Sequence, residues 1–166
     1  KLILLAPAGF ETFTDDEKAW IKKNNSPELY ALLSEKQIRF NYEINFFAMP
    51  NDVESMVNDR IKMMGWKNYK DYCKIVSNSL NGLLDYPVFD KLNLITQPTL
   101  VLFGKNDRLI PNTILHKNIT AEEVALAGSK QIPNSNLSLI DQCGHFLQFE
   151  KPESVSREII EFMRGQ

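Results

Sequence analysis

Thr99-Leu-Val-Leu-Phe-Gly-Lys-Asn-Asp107-Arg-Leu-Ile-Pro111 is the stretch on which the reading of this chain turns. Its unbroken apolar run suits a strand covered on both faces. The Gly-Lys-Asn-Asp that follows has the composition of a turn. A second stretch repeats the pattern: Leu137-Ser-Leu-Ile-Asp-Gln-Cys-Gly-His145-Phe146, then Glu150-Lys-Pro152-Glu153. Each is a short strand ending in a loop, with one side chain capable of acid–base work just past the strand.

The order of elements around these stretches points to an α/β architecture. Residues 2 to 6, Leu-Ile-Leu-Leu-Ala, are continuously apolar and read as another buried strand, ended by Pro7-Ala-Gly9. Thr14 with Glu17 three residues later forms a capping box, and a helical block follows to about residue 84. Three stripes recur at helical spacing: Ile38, Tyr42, Phe46 and Met49; then Val53, Met56, Val57, Ile61 and Met64; then Tyr69, Tyr72, Cys73, Val76, Leu80 and Leu83. Pro87 and Pro98 flank an irregular stretch. Thr120 with Glu123 opens another helix, and Pro152 starts a terminal one with Val155, Ile159 and Met163 on one face. Strands alternating with helices imply parallel pairing, with ligands bound beyond the carboxyl ends of the strands. Asp107, His145 and the entry to the helical block all fall there.

Composition narrows the function classes. The chain has 166 residues, 43% hydrophobic and 24% charged, as in a globular protein. A net charge of −2 gives no electrostatic case for binding nucleic acid or an anionic membrane. No apolar run is long enough to span a bilayer. The two cysteines, Cys73 and Cys143, are expected to be free thiols, which favours a cytoplasmic location. The two histidines, His116 and His145, have no companions at metal-ligand spacing, so no metal is expected.

An aspartate and a later histidine suit nucleophilic catalysis: the imidazole takes a proton from a nucleophile, and the carboxylate fixes its tautomer. Asp107 and His145 are 38 residues apart, so the fold must bring them together. At this point the chain resembles the alpha/beta-hydrolase family. The matching features are Phe103-Gly104-x-x-Asp107 with Pro111, and Gly144-His145 with Glu150-x-Pro152-Glu153. Residues 2 to 9 look like the family's sixth strand, and 13–87 like its helical cap, leaving 1–12 and 88–166 as the carboxyl-terminal part of the parallel-sheet core. The resemblance implies a cofactor-free hydrolase cleaving an ester, amide or similar bond of a small, largely apolar substrate. Asp107 is its acid and His145 its base.

The family's Gly-x-Ser-x-Gly elbow does not occur in this sequence: no two of the seven glycines lie four apart. The nucleophile is therefore expected outside the chain, and these 166 residues alone are expected to be inactive. The alternative is a non-catalytic, hydrolase-like binding or regulatory domain, which has no need of the retained pair. A strand at residues 2 to 6 lacking a neighbour is a pairing hazard. The expected partner is an amino-terminal segment of the same protein, or a second copy. Phe10, Phe46, Met49, Trp66 and Phe146 are candidates for lining a substrate pocket, with Phe47, Met63 and Met64 further possibilities. His116 reads as a surface or packing residue without a partner. Asp141 reads as a locally bonded loop residue. Glu11 is a weaker candidate for the acid, since Asp107 already fills that place.

Overall fold

The structure is a computed structural model and describes residues 1–165. Three strands, β1 (Leu2–Leu5), β2 (Thr99–Gly104) and β3 (Ser135–Ile140), form one parallel sheet in the order β1-β2-β3. The register sets Leu2 beside Thr99, and Thr99 beside Ser135. Every residue of β2 is buried, as its apolar run requires of a central parallel strand. β1 has the same composition, yet all four of its residues are only half-buried. The expectation of a buried strand is thus met only in part, and β1 is at the sheet's edge with, among the described residues, nothing paired to its outer side, as the expected missing neighbour implies.

The chain divides into two compact units. One holds the sheet and comprises residues 1–11, 43–50 and 88–166; the other comprises residues 12–42 and 51–87. These bounds differ from the continuous 13–87 insert read from the sequence, because residues 43–50 group with the sheet.

The helical unit contains α1 (Asp15–Lys23), α2 (Pro27–Ala31), most of α3 (Glu35–Glu43), α4 (Glu54–Lys62) and α5 (Tyr69–Asp85). Thr14 and Glu17 cap α1 reciprocally, as their spacing predicts. The α5 stripe buries Tyr69 and Cys73 and half-buries Tyr72, Val76, Leu80 and Leu83. Asn25 is also buried and ties α5 to the loop between α1 and α2: its amide donates to the Ser77 carbonyl at 2.9 Å, and the Ser77 hydroxyl returns a bond to the Asn25 carbonyl at 2.7 Å. Arg60 is buried with its guanidinium over the Tyr69 and Tyr72 rings, 5.1 and 4.6 Å from their centroids. The stripe read as Ile38, Tyr42, Phe46 and Met49 breaks: α3 ends at Glu43, so Phe46 and Met49 lie past it, in the segment that joins the sheet unit.

In the sheet unit, α6 (Ala121–Gln131) opens on the Thr120–Glu123 capping box and packs on β2 and β3. α7 (Leu147–Glu150) is a single turn, and Pro152 begins α8 (Pro152–Arg164). The inward face of α8 is Val155, Ile159 and Phe162; Met163, expected there, is 55% exposed. The spacing i, i+4, i+7 holds with Phe162 and leaves the next residue outside. The core centres on Leu100, Val101, Leu102 and Phe103, with Phe10, Val124, Ile132, Leu147 and Val155 around them. None of the described helices is long and apolar enough to cross a membrane.

Candidate active site

Asp107 and His145 meet beyond the carboxyl ends of β2 and β3. The imidazole Nδ1 is 2.8 Å from Asp107 Oδ2. The Asp107 side chain is fully buried, and that of His145 is 20% exposed. The other aspartate oxygen, Oδ1, accepts the backbone N–H groups of Leu109 at 2.8 Å and Ile110 at 3.0 Å. These two bonds close an Asp-type turn and fix the carboxylate's rotamer. Oδ2 is then aimed at the imidazole. A buried carboxylate needs such partners, because an unpaired one is strongly disfavoured.

Two glycines bring the strand ends close enough. A Cβ on Gly104, at the end of β2, would overlap the carbonyl oxygens of Cys143 and Gly144. A Cβ on Gly144 would be 2.6 Å from the Asn45 carbonyl oxygen and 2.7 Å from Phe46 Cα. The crossing is secured by Asn106 N–H donating to Cys143 O at 2.9 Å and Lys105 N–H donating to Ile140 O at 3.0 Å. Asp141 pairs across these strand ends with Lys105 at 2.9 Å, rather than bonding locally as expected.

The histidine loop has a second anchor. The Asn45 carbonyl accepts the backbone N–H groups of His145 at 2.7 Å and Phe146 at 3.1 Å. The Glu150 carboxylate accepts three more: Gly144 at 2.7 Å, Phe47 at 3.1 Å and Ala48 at 2.6 Å. Sequence reasoning quoted Glu150 without a role and passed over Asn45, since their partners are about a hundred residues away in the chain.

A second carboxylate–imidazole pair lies in the same unit. His116 Nδ1 is 2.6 Å from Glu11 Oε1, which also accepts the Asn112 N–H at 2.7 Å. His116 is therefore not the unpartnered residue expected from the sequence. Burial pushes the Glu11 carboxyl above the ordinary glutamate value, against the lowering effect of these two bonds.

The predicted pocket residues separate. Phe146 is half-buried, with its ring 5.7 Å from that of His145. Phe46 is buried and meets Phe146 edge-on at 5.6 Å. Met49 is half-buried in the same segment. Phe10 is a core residue instead: its ring packs against Phe103 at 6.0 Å and against Gly128, where a side chain would overlap it. Trp66 is 58% exposed in the helical unit. Cys143 is the thiol nearest in sequence to His145, but it is fully buried, and burial pushes its pKa up to about 12. That excludes it as a nucleophile at neutral pH. Among the described residues no cluster of His, Cys, Asp and Glu could hold a metal ion.

No family model matches the chain. Over 80 residues, 48% of its length, it is 36% identical to the 2-hydroxy-6-oxononadienedioate/2-hydroxy-6-oxononatrienedioate hydrolase 2 of Pseudomonas putida, of which this is 24%. Over 98% of its length it is 23% identical to the monoacylglycerol lipase ABHD6 of Mus musculus, covering 47% of that protein. Among solved structures, a probable hydrolytic enzyme from Pseudomonas aeruginosa PAO1 superposes with a TM-score of 0.79 at 17% identity, over 99% of this chain and 55% of that one. The 2-hydroxy-6-oxo-6-phenylhexa-2,4-dienoate hydrolase of Rhodococcus sp. strain RHA1 gives a TM-score of 0.63 at 18% identity, again over 55% of its chain. The chain thus spans about half the length, or less, of these relatives. With its parallel strands and these likenesses together, the chain has the fold of the corresponding part of these alpha/beta hydrolases.

Proposed function

We propose that this chain is the acid-and-histidine part of a cofactor-free hydrolase that cleaves an ester, amide or similar bond of a small, largely apolar substrate. The observation that carries the reading is the 2.8 Å contact between His145 Nδ1 and a fully buried Asp107 carboxylate. Donating Nδ1–H to Asp107 leaves Nε2 free to accept a proton from a nucleophile's hydroxyl, which then attacks the carbonyl carbon. The imidazolium gives that proton to the leaving group as the acyl-enzyme forms, and a water deprotonated by the same imidazole then cleaves the acyl-enzyme, the proton returning to the nucleophile. Asp107 stabilises the imidazolium throughout. Phe146 supplies apolar surface beside the imidazole, with the buried Phe46 ring packed behind it.

The nucleophile of this reading lies outside these 166 residues, and the partner is the part of the same protein that carries it. The outer edge of β1 offers the backbone groups of Ile3 and Leu5 to a further strand, from that part or from a second copy. Two free, buried cysteines fit a cytoplasmic setting.

The test is turnover of a series of small esters by the full-length protein and its His145→Ala variant. The reading expects hydrolysis by the wild type and its near-complete loss in the variant. Equal hydrolysis by both would remove His145 from the mechanism.

A further inference from the structure

We propose that Glu150 is a positioning residue for His145, holding the histidine loop onto segment 45–48 so that the imidazole stays aimed at Asp107; this rests on the hydrolase reading above. The contact is made in both directions. Segment 45–48 offers one carbonyl, that of Asn45, to the N–H groups of His145 and Phe146. The histidine loop offers one carboxylate in return, with Oε1 taking Ala48 N–H and Oε2 taking both Phe47 N–H and Gly144 N–H. The backbone on either side of the imidazole is thus bonded at Gly144, His145 and Phe146 in succession. Gly144 packs with its Cα against Asn45 and Phe46, where any side chain would force the two segments apart.

The chemistry selects a carboxylate. It accepts on both oxygens and donates nothing, and here both oxygens face peptide N–H groups. A glutamine has one acceptor oxygen, so either orientation of its amide turns an NH₂ toward at least one backbone donor. Place in the chain contributes too. Glu150 ends α7, two residues before Pro152 opens α8, so its backbone stands at the junction of two elements. The imidazole's aim depends on that loop, because Nδ1 must meet a carboxylate whose own rotamer is already fixed. A displacement of about an ångström at a reacting group costs on the order of a hundredfold in rate.

The experiment uses the full-length protein with isotopically labelled histidine, in wild-type, E150Q and D107N forms, with His116→Gln to assign the two imidazoles. It reads the far-downfield Nδ1 proton of His145, ester turnover and the melting temperature. The 2.8 Å contact predicts a protected Nδ1 proton in the wild type and its loss in D107N. The proposal expects E150Q to melt cooperatively yet lose that proton to exchange, with kcat down about 10- to 100-fold and KM little changed. A folded E150Q with the wild-type proton resonance and wild-type kcat overturns it. If E150Q does not fold, E150D decides, since it keeps the charge but shortens the reach: a weakened resonance supports the clamp, and an unaltered one overturns it. A wild type that hydrolyses nothing would sink the hydrolase reading alone, because the resonance still reports on Glu150.

Discussion

Two carboxylate–imidazole pairs stand past the ends of neighbouring strands, and they differ in how the acid is held. Asp107 divides its oxygens: Oδ1 serves its own turn, and Oδ2 serves His145. Glu11 uses one oxygen for both Asn112 N–H and His116. The Asp107 carboxylate has no exposed surface, whereas its imidazole partner keeps 20%. The Glu11 side chain is 6% exposed and its imidazole 14%, so both halves of that pair are mostly enclosed. A pair that moves protons needs a fixed, buried acid and a histidine that still reaches a substrate. The first pair has both properties. The second has the character of a clamp between the turn after β1 and the loop after β2.

The largest expected effect separates the pairs directly. In the full-length protein, Asp107→Asn should lower kcat by roughly 10³- to 10⁴-fold, because the amide favours the wrong imidazole tautomer. Glu11→Gln should cost less than about tenfold, since its amide oxygen can still accept the Asn112 N–H. Steady-state kinetics on one ester checks both, and a Glu11→Gln loss as deep as that of Asp107→Asn would exchange their roles.

The strands beneath the pairs allow a stability test. Leu102→Ala in fully buried β2 should cost about 2–5 kcal/mol, from lost burial and the cavity left behind. Leu4→Ala in half-buried β1 should cost clearly less in these 166 residues, and approach the β2 figure once a further strand covers the edge. Urea unfolding of both variants, in the isolated chain and the full-length protein, measures the gap. A gap that does not close would mean that the edge stays open.

Smaller effects sharpen the picture. Thr120→Ala removes the capping box of α6 and should cost about 0.5–2 kcal/mol, seen as a lowered melting temperature. For Glu11 the sign follows from burial, which raises its folded value above the unfolded one. The native state then holds that proton more tightly. Stability from this group is complete below the ordinary glutamate value and is lost as pH rises through the raised folded value. Glu11→Gln should flatten that part of the melting-temperature profile. Cys143 should not react with a disulfide reagent near pH 8 in the folded protein, with its thiol pushed up to about 12.

The features legible in the sequence are local ones. An unbroken apolar run announced β2, and Thr-x-x-Glu announced the starts of α1 and α6. Asp107 and His145 were visible because each follows its strand within a few residues. What stayed hidden depends on contacts between distant segments. Glu150 finds Phe47 and Ala48, and Glu11 finds His116, about a hundred positions away. Phe46 continues a helical spacing on paper, but α3 stops at Glu43 and the chain turns to meet the histidine loop. Phe10 looked like a pocket residue from its loop, yet Gly128 leaves room for its ring in the core.

The most direct test of the central claim is covalent labelling of the full-length protein with a serine-directed fluorophosphonate, followed by peptide mapping. The account predicts one labelled serine, outside these 166 residues, and labelling that all but vanishes in His145→Ala. A label on a serine within the chain, or labelling indifferent to His145, would contradict it.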